Sequence, residues 1–492
     1  MPIDILPGKD YDTTWSLTKL GDEAVPLKIW NMMGFLGTIV FMVVLGVASG
    51  RKVKTSKDFQ TGGKNAGFLL VAGTITGTLV GGSSTIGTAE LAFHAGISAW
   101  WYTMGGAFGC LLLGLVYSIP VRESECTTIQ EIIRWEYGET AGVVTSLLTS
   151  VGIVLNIVAQ LLAANALLGS MLGFHTVLCG IIAVVLMGCY VLFGGIRSSG
   201  VLGVVKLILI YVGAVGGGVL VLWMAGGLPG LEAALPTRQY FNFLTQGAEK
   251  DLNNCLSVML GVVSTQTYVQ AVIMGKSNRE AQKGCFLSAL IMPPVGIFSS
   301  LIGMYMRVEA PGLTAGQAFP QFVIRFLPAF PAGIVLAALL FAVVGTASGM
   351  ALGFGTIVCN DLYGRYLNPK ADGRKMLLIS RLMIAAVLAF AALFTLGNLG
   401  SAILTFGFLS MGLRAAVLLA PMTAALFLPG RVDRRFAVAS SCAGICAMLY
   451  AELTAFPLNP LCAGMIASFA CLTLGLRRHK VRDRRHRVMV EK

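Results

Sequence analysis

Residues 67–92 form an apolar stretch long enough to cross a bilayer, yet its centre reads Gly81-Gly82-Ser83-Ser84-Thr85. Two glycines weaken a helix there, and three hydroxyls offer the backbone partners outside the helical ladder. Irregular backbone at membrane depth is tolerated only where it is buried in protein or lines a water-filled cavity. Breaks of this kind build midplane binding sites in membrane carriers. Small residues also let helices pack closely in lipid, which is the plainer explanation of the same letters.

The rest of the chain fits a membrane setting. Of 492 residues, 56% are hydrophobic and 12% charged, about half the charge of a soluble domain. Apolar runs of roughly 20 residues, the length that spans a hydrocarbon core, recur along the whole sequence. Thirteen spans are expected, at roughly 27–49, 67–93, 97–118, 139–171, 176–193, 199–226, 252–274, 284–305, 332–358, 375–396, 402–428, 436–453 and 459–476. The fold class is therefore an all-α polytopic membrane protein. Residues 1–26 carry Asp4, Asp10, Asp12, Asp22 and Glu23 and lack the basic start of a secretory signal. They read as an exposed tail.

The net charge of +13 suggests nucleic acid only until it is mapped. Arg51, Lys52, Lys54, Lys57 and Lys64 share one loop; Lys276, Arg279 and Lys283 another. Arg365, Lys370, Arg374 and Lys375 fall in a third, and Arg431, Arg434 and Arg435 in a fourth. With thirteen spans all four lie on one side, beside the 477–492 tail with its basic cluster. The positive-inside rule makes that side cytoplasmic. The expectation is a multi-pass protein of the plasma (inner) membrane, amino terminus outside and carboxyl terminus inside. Its partners are a small solute and the lipid bilayer, with no nucleic acid.

Enzyme chemistry finds no support in the sequence. Eleven cysteines are scattered, nearly all inside spans, and behave as small buried hydrophobes. His94, His175, His479 and His486 are far apart and make no metal motif. No phosphate loop and no paired carboxylates occur within the spans. No cofactor is expected beyond a coupling ion, Na+ or H+.

Ionisable residues inside spans are costly and functional by default. Lys206 sits about two turns inside the basic end of its span, where a lysine stem can also snorkel to the interface. Arg414 lies near the middle of its span, too deep for that. It needs a carboxylate, a ring of carbonyls or a bound anion. Glu90, in the outer half of the broken stretch, reads as a vestibule residue. Asp361 falls at a helix end, where a structural role is the default.

An ordered set of motifs adds a family. Asp58-Phe59-Gln60-Thr61-Gly62-Gly63-Lys64, Ala95-Gly96-Ile97-Ser98-Ala99-Trp100-Trp101 and Gly194-Gly195-Ile196-Arg197 come first. Gln266-Thr267-Tyr268-Val269-Gln270 and Cys359-Asn360-Asp361-Leu362-Tyr363 follow. In this order and spacing the chain, over roughly residues 50–445, resembles the sodium:solute symporter family. The resemblance implies a LeuT-type core of two inverted five-helix repeats over residues 67–428. An accessory helix at 27–49 would precede it, and two more would follow at 436–476. It also implies that the first and sixth core helices are broken at the midplane; Ser264-Thr265-Gln266-Thr267 is the polar counterpart in the sixth.

By the same resemblance, a sodium site would be built from backbone carbonyls of Gly77, Val80 and Ala342 and from two adjacent hydroxyls. Those two positions read Gly345 and Thr346, so one hydroxyl is missing. Ser348 is two positions on and points elsewhere on a helix. The family pattern of an aspartate followed three residues later by a glutamine reads Gly203 and Lys206 here. A protonated amine ~4 Å from a sodium ion repels it by ~4 kcal/mol at an effective dielectric of 20, a ~1000-fold loss of affinity. The expectation is that the Lys206 ammonium replaces the ion. Transport would then couple to protons or to no ion, with conventional sodium coupling as the alternative.

The resemblance also implies a substrate site among the first, third, sixth and tenth core helices. Its candidates are Gly81, Gly82, Ser83, Ser84, Thr85, Gln160, Asn165, Gln266, Tyr268 and Arg414. Helix N-termini together with an arginine favour an anion, so a small organic acid or amino acid is the expected solute. A sensor working through a separate partner is a further class, and a channel a third.

Overall fold

A computed structural model describes residues 28–50, 65–368, 372–396, 402–454 and 458–476, omitting side chains at 46–50, 176, 191–201, 360, 361 and 365. The expectations for the 1–26 tail, the 51–64 loop, the Asp361 side chain and the 477–492 tail fall outside these residues.

The described residues form helices and turns, with two isolated β-bridges and no sheet. Helix α1 spans Ile29–Gly50. The broken stretch follows as α2, Phe68–Leu79, and α3, Thr88–Ala95, separated by a wide turn at Ser83–Gly87. Next come α4, Trp101–Leu112; α5, Ile129–Tyr137; and α6, Glu139–Leu172. The helical run α7 covers Thr176–Met224. A second bent pair is α8, Ala248–Val263, and α9, Gln266–Met274, which meet at 47°. Then follow α10, Asn278–Glu309; α11, Ala318–Phe326; α12, Ala329–Ile357; and α13, Gly373–Leu396. The last three are α14, Ile403–Phe427; α15, Arg434–Leu453; and α16, Pro460–Leu474.

Eight helices are long and apolar enough to span a membrane among the described residues, nine if the α8–α9 pair counts as one. The expected count of thirteen goes beyond this. Four more apolar segments, Ile29–Leu45, Phe68–Leu79, Val177–Tyr190 and Pro460–Leu474, are shorter over their described side chains, the first and third being parts of the longer helices α1 and α7. The 49-residue run α7 covers two expected spans. Were it straight, Tyr190 and Lys206 would lie ~24 Å apart along its axis. Instead the Tyr190 hydroxyl and the Lys206 ammonium both come within 3.3 Å of one point, the place a Cβ on Gly345 would take. The run is therefore not straight between them.

The centre belongs to α12 and α14, with 78% and 83% of their spanning windows buried. Helices α13 and α15, at 28% and 33%, face outward. One turn depends on glycine. Gly96 has φ +64°, and a Cβ there would stand 2.1 Å from the Tyr240 carbonyl oxygen, so only glycine fits where α3 ends.

At the end carrying Arg122, Lys276 and Lys283, the two broken spans are tied together. Ala66 N–H donates to the Met274 carbonyl at 3.0 Å, and Lys276 N–H to that of Ala66 at 2.9 Å. Arg122 donates to the carbonyls of Val272, Ile273 and Gly275 and, at 2.8 Å, to Asn278 Oδ1. A cation thus closes the carbonyl end of α9. Ser277 caps α10 by accepting from Glu280 N–H. The Glu280 carboxylate then caps a different helix, accepting from Phe68 N–H at 2.8 Å.

Candidate functional site

The first break is stitched by the residues that cause it. Val80 leaves the helix with ψ 90°. Gly81 N–H donates to Ser84 Oγ at 3.0 Å, and Thr85 Oγ1 donates back to the Gly81 carbonyl at 2.8 Å. Gln160 reaches across from α6: its Oε1 accepts from Gly82 N–H at 2.8 Å, and its Nε2 donates to Ser83 Oγ at 3.1 Å. The hydroxyls and the glutamine so satisfy donors that the lost ladder would strand. Ser83, Ser84, Thr85 and Gln160 are all buried.

The second break faces the first. Thr265 Oγ1 donates to the Gly261 carbonyl at 2.6 Å and accepts from Arg414 Nη1 at 2.7 Å. Arg414, only 1% exposed, also donates from Nε to the Ser410 carbonyl at 3.0 Å and from Nη2 to Ser410 Oγ at 3.1 Å. Its two remaining contacts are thioethers, Met350 Sδ at 3.7 Å and Met411 Sδ at 3.1 Å. No carboxylate pairs with it among the described residues. The Tyr268 hydroxyl, fully buried in the electrostatic field of Arg414, has no hydrogen-bond partner among the described residues, and neither has Ser264 Oγ.

Two candidates stand apart from this centre. Gln266 Oε1 accepts from Ile129 N–H at 2.9 Å, and its Nε2 donates to the Thr127 carbonyl at 3.1 Å. Its amide ties α9 to the segment before α5. Asn165 Oδ1 turns toward Gly180 on α7, 3.6 Å from the place of a Cβ there.

Lys206 is 1% exposed. Its ammonium donates to the Ala342 carbonyl at 3.3 Å and lies 3.2 Å from the Cβ position of Gly345. The Thr346 hydroxyl is buried without a partner and abuts Gly81, whose Cβ would stand 2.4 Å from Oγ1. Gly203, one turn before Lys206, packs backbone to backbone on α2, with its Cβ position 3.1 Å from Gly77 Cα. Gly77, Gly203, Lys206, Ala342 and Gly345 thus adjoin one another, with Thr346 and Val80 at the rim beside Gly81. Ser348 points away and donates to the Met187 carbonyl at 2.9 Å.

Tyr102 escaped the sequence reading. It is buried on α4 and lies with Ser83 against Gly407 of α14. Three aromatics stand in a row at 100–102, and nothing in the letters singles out the one that reaches the centre. Glu90 was expected in a vestibule. It is partly exposed, and its carboxylate accepts from Ile403 N–H at 2.9 Å, at the start of α14.

The family model for the sodium:solute symporter family matches residues 59–444. The high-affinity choline transporter 1 of Caenorhabditis elegans is 24% identical over 410 residues, 74% of this chain and 69% of the relative. That of Drosophila melanogaster is 23% identical over 406 residues; the match spans 74% of this chain but 62% of the relative's length. The sodium/pantothenate symporter of Escherichia coli (strain K12) is 24% identical over 388 residues, 73% of this chain and 78% of the relative. Among solved structures, a Na+-coupled sialic acid symporter in a substrate-bound outward-open state superposes with TM-score 0.77 at 17% identity, covering 91% of this chain and 97% of that one. Mhp1, a nucleobase-cation-symport-1 family transporter, gives TM-score 0.54 at 12% identity, covering 84% and 93%. Those two likenesses establish the LeuT-type fold that the family resemblance implied. With the family model matched across most of its length, the chain belongs to the sodium:solute symporter family and is a secondary active transporter rather than an enzyme.

Proposed function

We propose that the transported solute is a small organic anion whose carboxylate is held by Arg414, and that the Lys206 ammonium stands in for the sodium ion of relatives. The observation that carries the first part is the donor set of Arg414. A guanidinium has five N–H groups. Three reach oxygen here, while Nη1 and Nη2 each turn one toward a methionine sulfur. Thioethers are weak acceptors on flexible side chains. A carboxylate displacing both sulfurs would gain two charge-assisted bonds in fork geometry. The unpartnered Tyr268 hydroxyl and the start of α9 add donors beside it. Ser83, Ser84, Thr85 and Gln160 would line the far side of the solute, against Gly81 and Gly82.

This chemistry favours an anion of the pantothenate kind over a quaternary cation of the choline kind. A buried guanidinium without a carboxylate repels a cation and needs a counter-charge. Purified protein should therefore be stabilised in a thermal-shift titration by pantothenate or simple carboxylates and not by choline. Stabilisation by choline alone, or equal responses from Arg414→Gln and wild type, would remove the anion reading.

Support for the second part is positional. The amine is buried between α7 and α12, bonded to the Ala342 carbonyl that would otherwise serve the ion. A lysine that gives up its proton during each cycle would couple transport to protons; one that keeps it would make the protein a facilitator. One observation favours ordinary sodium coupling instead: the Thr346 hydroxyl is an oxygen without a partner at the same cleft. Uptake in sodium-free buffer separates these readings, and strict sodium dependence in wild type would leave the conventional one.

A further inference from the structure

Glu90 has no role in the reading above, and its surroundings give it one. It lies in the first turn of α3, the half of the broken span remote from the basic loops. Its Oε2 accepts from Ile403 N–H at 2.9 Å, 313 residues along the chain. Ile403 opens α14, whose first N–H groups have no partner within the helix. A carboxylate is also the charge that the positive end of a helix prefers. The other oxygen, Oε1, lies 3.7 Å from the Cβ position of Gly316, in the segment between α10 and α11.

Around this carboxylate the packing is close. Gly87, one turn before Glu90, leaves room for Ile403; a Cβ there would stand 2.9 Å from Ile403 Cγ2 and 3.4 Å from Leu404 Cγ. The rim also carries the His94 imidazole, one turn further along α3, and the Arg307 guanidinium, which stacks on Phe93 at 5.2 Å and donates to the Pro311 carbonyl. Neither forms an ion pair with Glu90. Beneath the contact lie Ser83 and Tyr102, both facing Gly407 of α14 at 3.3–3.7 Å from its Cβ position. Three elements thus meet over the central site on one side chain. The opposite end is shut by the Ala66–Gly275 bridge with Arg122 and Glu280.

We propose that Glu90 is the latch of the outer gate: its carboxylate holds the first turn of α14 and the 310–317 segment over the central site, and it must release Ile403 before a solute can enter. Opening this end would part α3 from α14, and among the described residues the side-chain-to-backbone tie between them is this bond. Glu90 is a positioning residue that touches neither Arg414 nor Lys206. The proposal therefore stands whether or not the anion and lysine readings hold.

The test is access to the centre. In the full-length protein in membrane vesicles, Gly407→Cys places a thiol beside Ser83 and Tyr102. A membrane-impermeant sulfonated thiol reagent is applied from each side in turn, and the chain without that substitution gives the background from its native cysteines. In the Glu90→Gln background, labelling from the Glu90 side should rise about fivefold or more, the scale of one lost charge-assisted hydrogen bond. Labelling from the basic side should not change. Gly87→Ala, which pushes Ile403 away and leaves the carboxylate intact, should act in the same direction. A plain helix cap would lower the melting temperature and leave the labelling rate alone. That outcome, an unchanged rate in both variants, or an equal rise from both sides would overturn the latch.

Discussion

Gly203 stands so close to Gly73 that a Cβ at position 203 would lie 2.2 Å from the Gly73 carbonyl oxygen. Helices α7 and α2 therefore meet backbone to backbone at the position where the family resemblance implies an aspartate. Nothing bulkier than hydrogen fits, because the neighbour is main chain and cannot rotate aside.

Restoring the family residue should fail. Gly203→Asp is expected to destabilise the protein by about 3 kcal/mol or more, through overpacking and a buried charge. Gly203→Ala should already cost about 1–3 kcal/mol. Melting temperatures of the two variants in detergent check this, and a wild-type value for Gly203→Asp would contradict the close contact.

Lys206→Met keeps the volume and removes the charge. Replacing a buried ionic group by a well-packed apolar one is often neutral or stabilising, so the melting temperature should hold or rise. Solute exchange should nevertheless slow by about tenfold or more, as expected when a group with a functional charge is lost. Normal exchange by Lys206→Met would show that the amine merely fills space.

At the solute site, Arg414→Lys should weaken carboxylate binding by about 2 kcal/mol, roughly thirtyfold, because a point charge cannot reproduce the fork. Met350→Leu and Met411→Leu should leave binding within about threefold of wild type, since the sulfurs are displaced on binding. Thermal-shift titrations with a fixed carboxylate compare all three. A larger loss from either methionine variant than from Arg414→Lys would argue for thioether contacts to the solute.

Gln160→Leu strands Gly82 N–H and Ser83 Oγ in a buried break. The expected cost is about 1–3 kcal/mol, read as a lower melting temperature. Gln160→Glu retains an acceptor for Gly82 and should recover part of that loss.

The breaks were legible because they violate a strong rule. Gly81-Gly82-Ser83-Ser84-Thr85 and Ser264-Thr265 sit where a helix in lipid cannot afford weak propensity unless the backbone is rescued locally. The hydroxyls do that rescuing. Lys206 and Arg414 were legible for the same reason, as charges at a depth that only protein partners tolerate. The partners themselves were not. Tyr102 and the two methionines look like ordinary core residues, and their role depends on which rotamer faces Ser83 or the guanidinium. Gln266 looked like a solute contact because it is polar and central, yet its amide is held by Thr127 and Ile129. Tertiary pairing of that kind joins residues more than a hundred positions apart and leaves no local trace.

The substitution of an amine for an ion is tested most directly by equilibrium binding of radioactive sodium to the purified full-length protein. Wild type should show no saturable sodium binding up to about 100 mM, since a neighbouring ammonium removes roughly three orders of magnitude of affinity. Saturable binding in wild type at millimolar sodium or below, lost in Thr346→Val, would mean that the ion keeps its place and that Lys206 does not replace it.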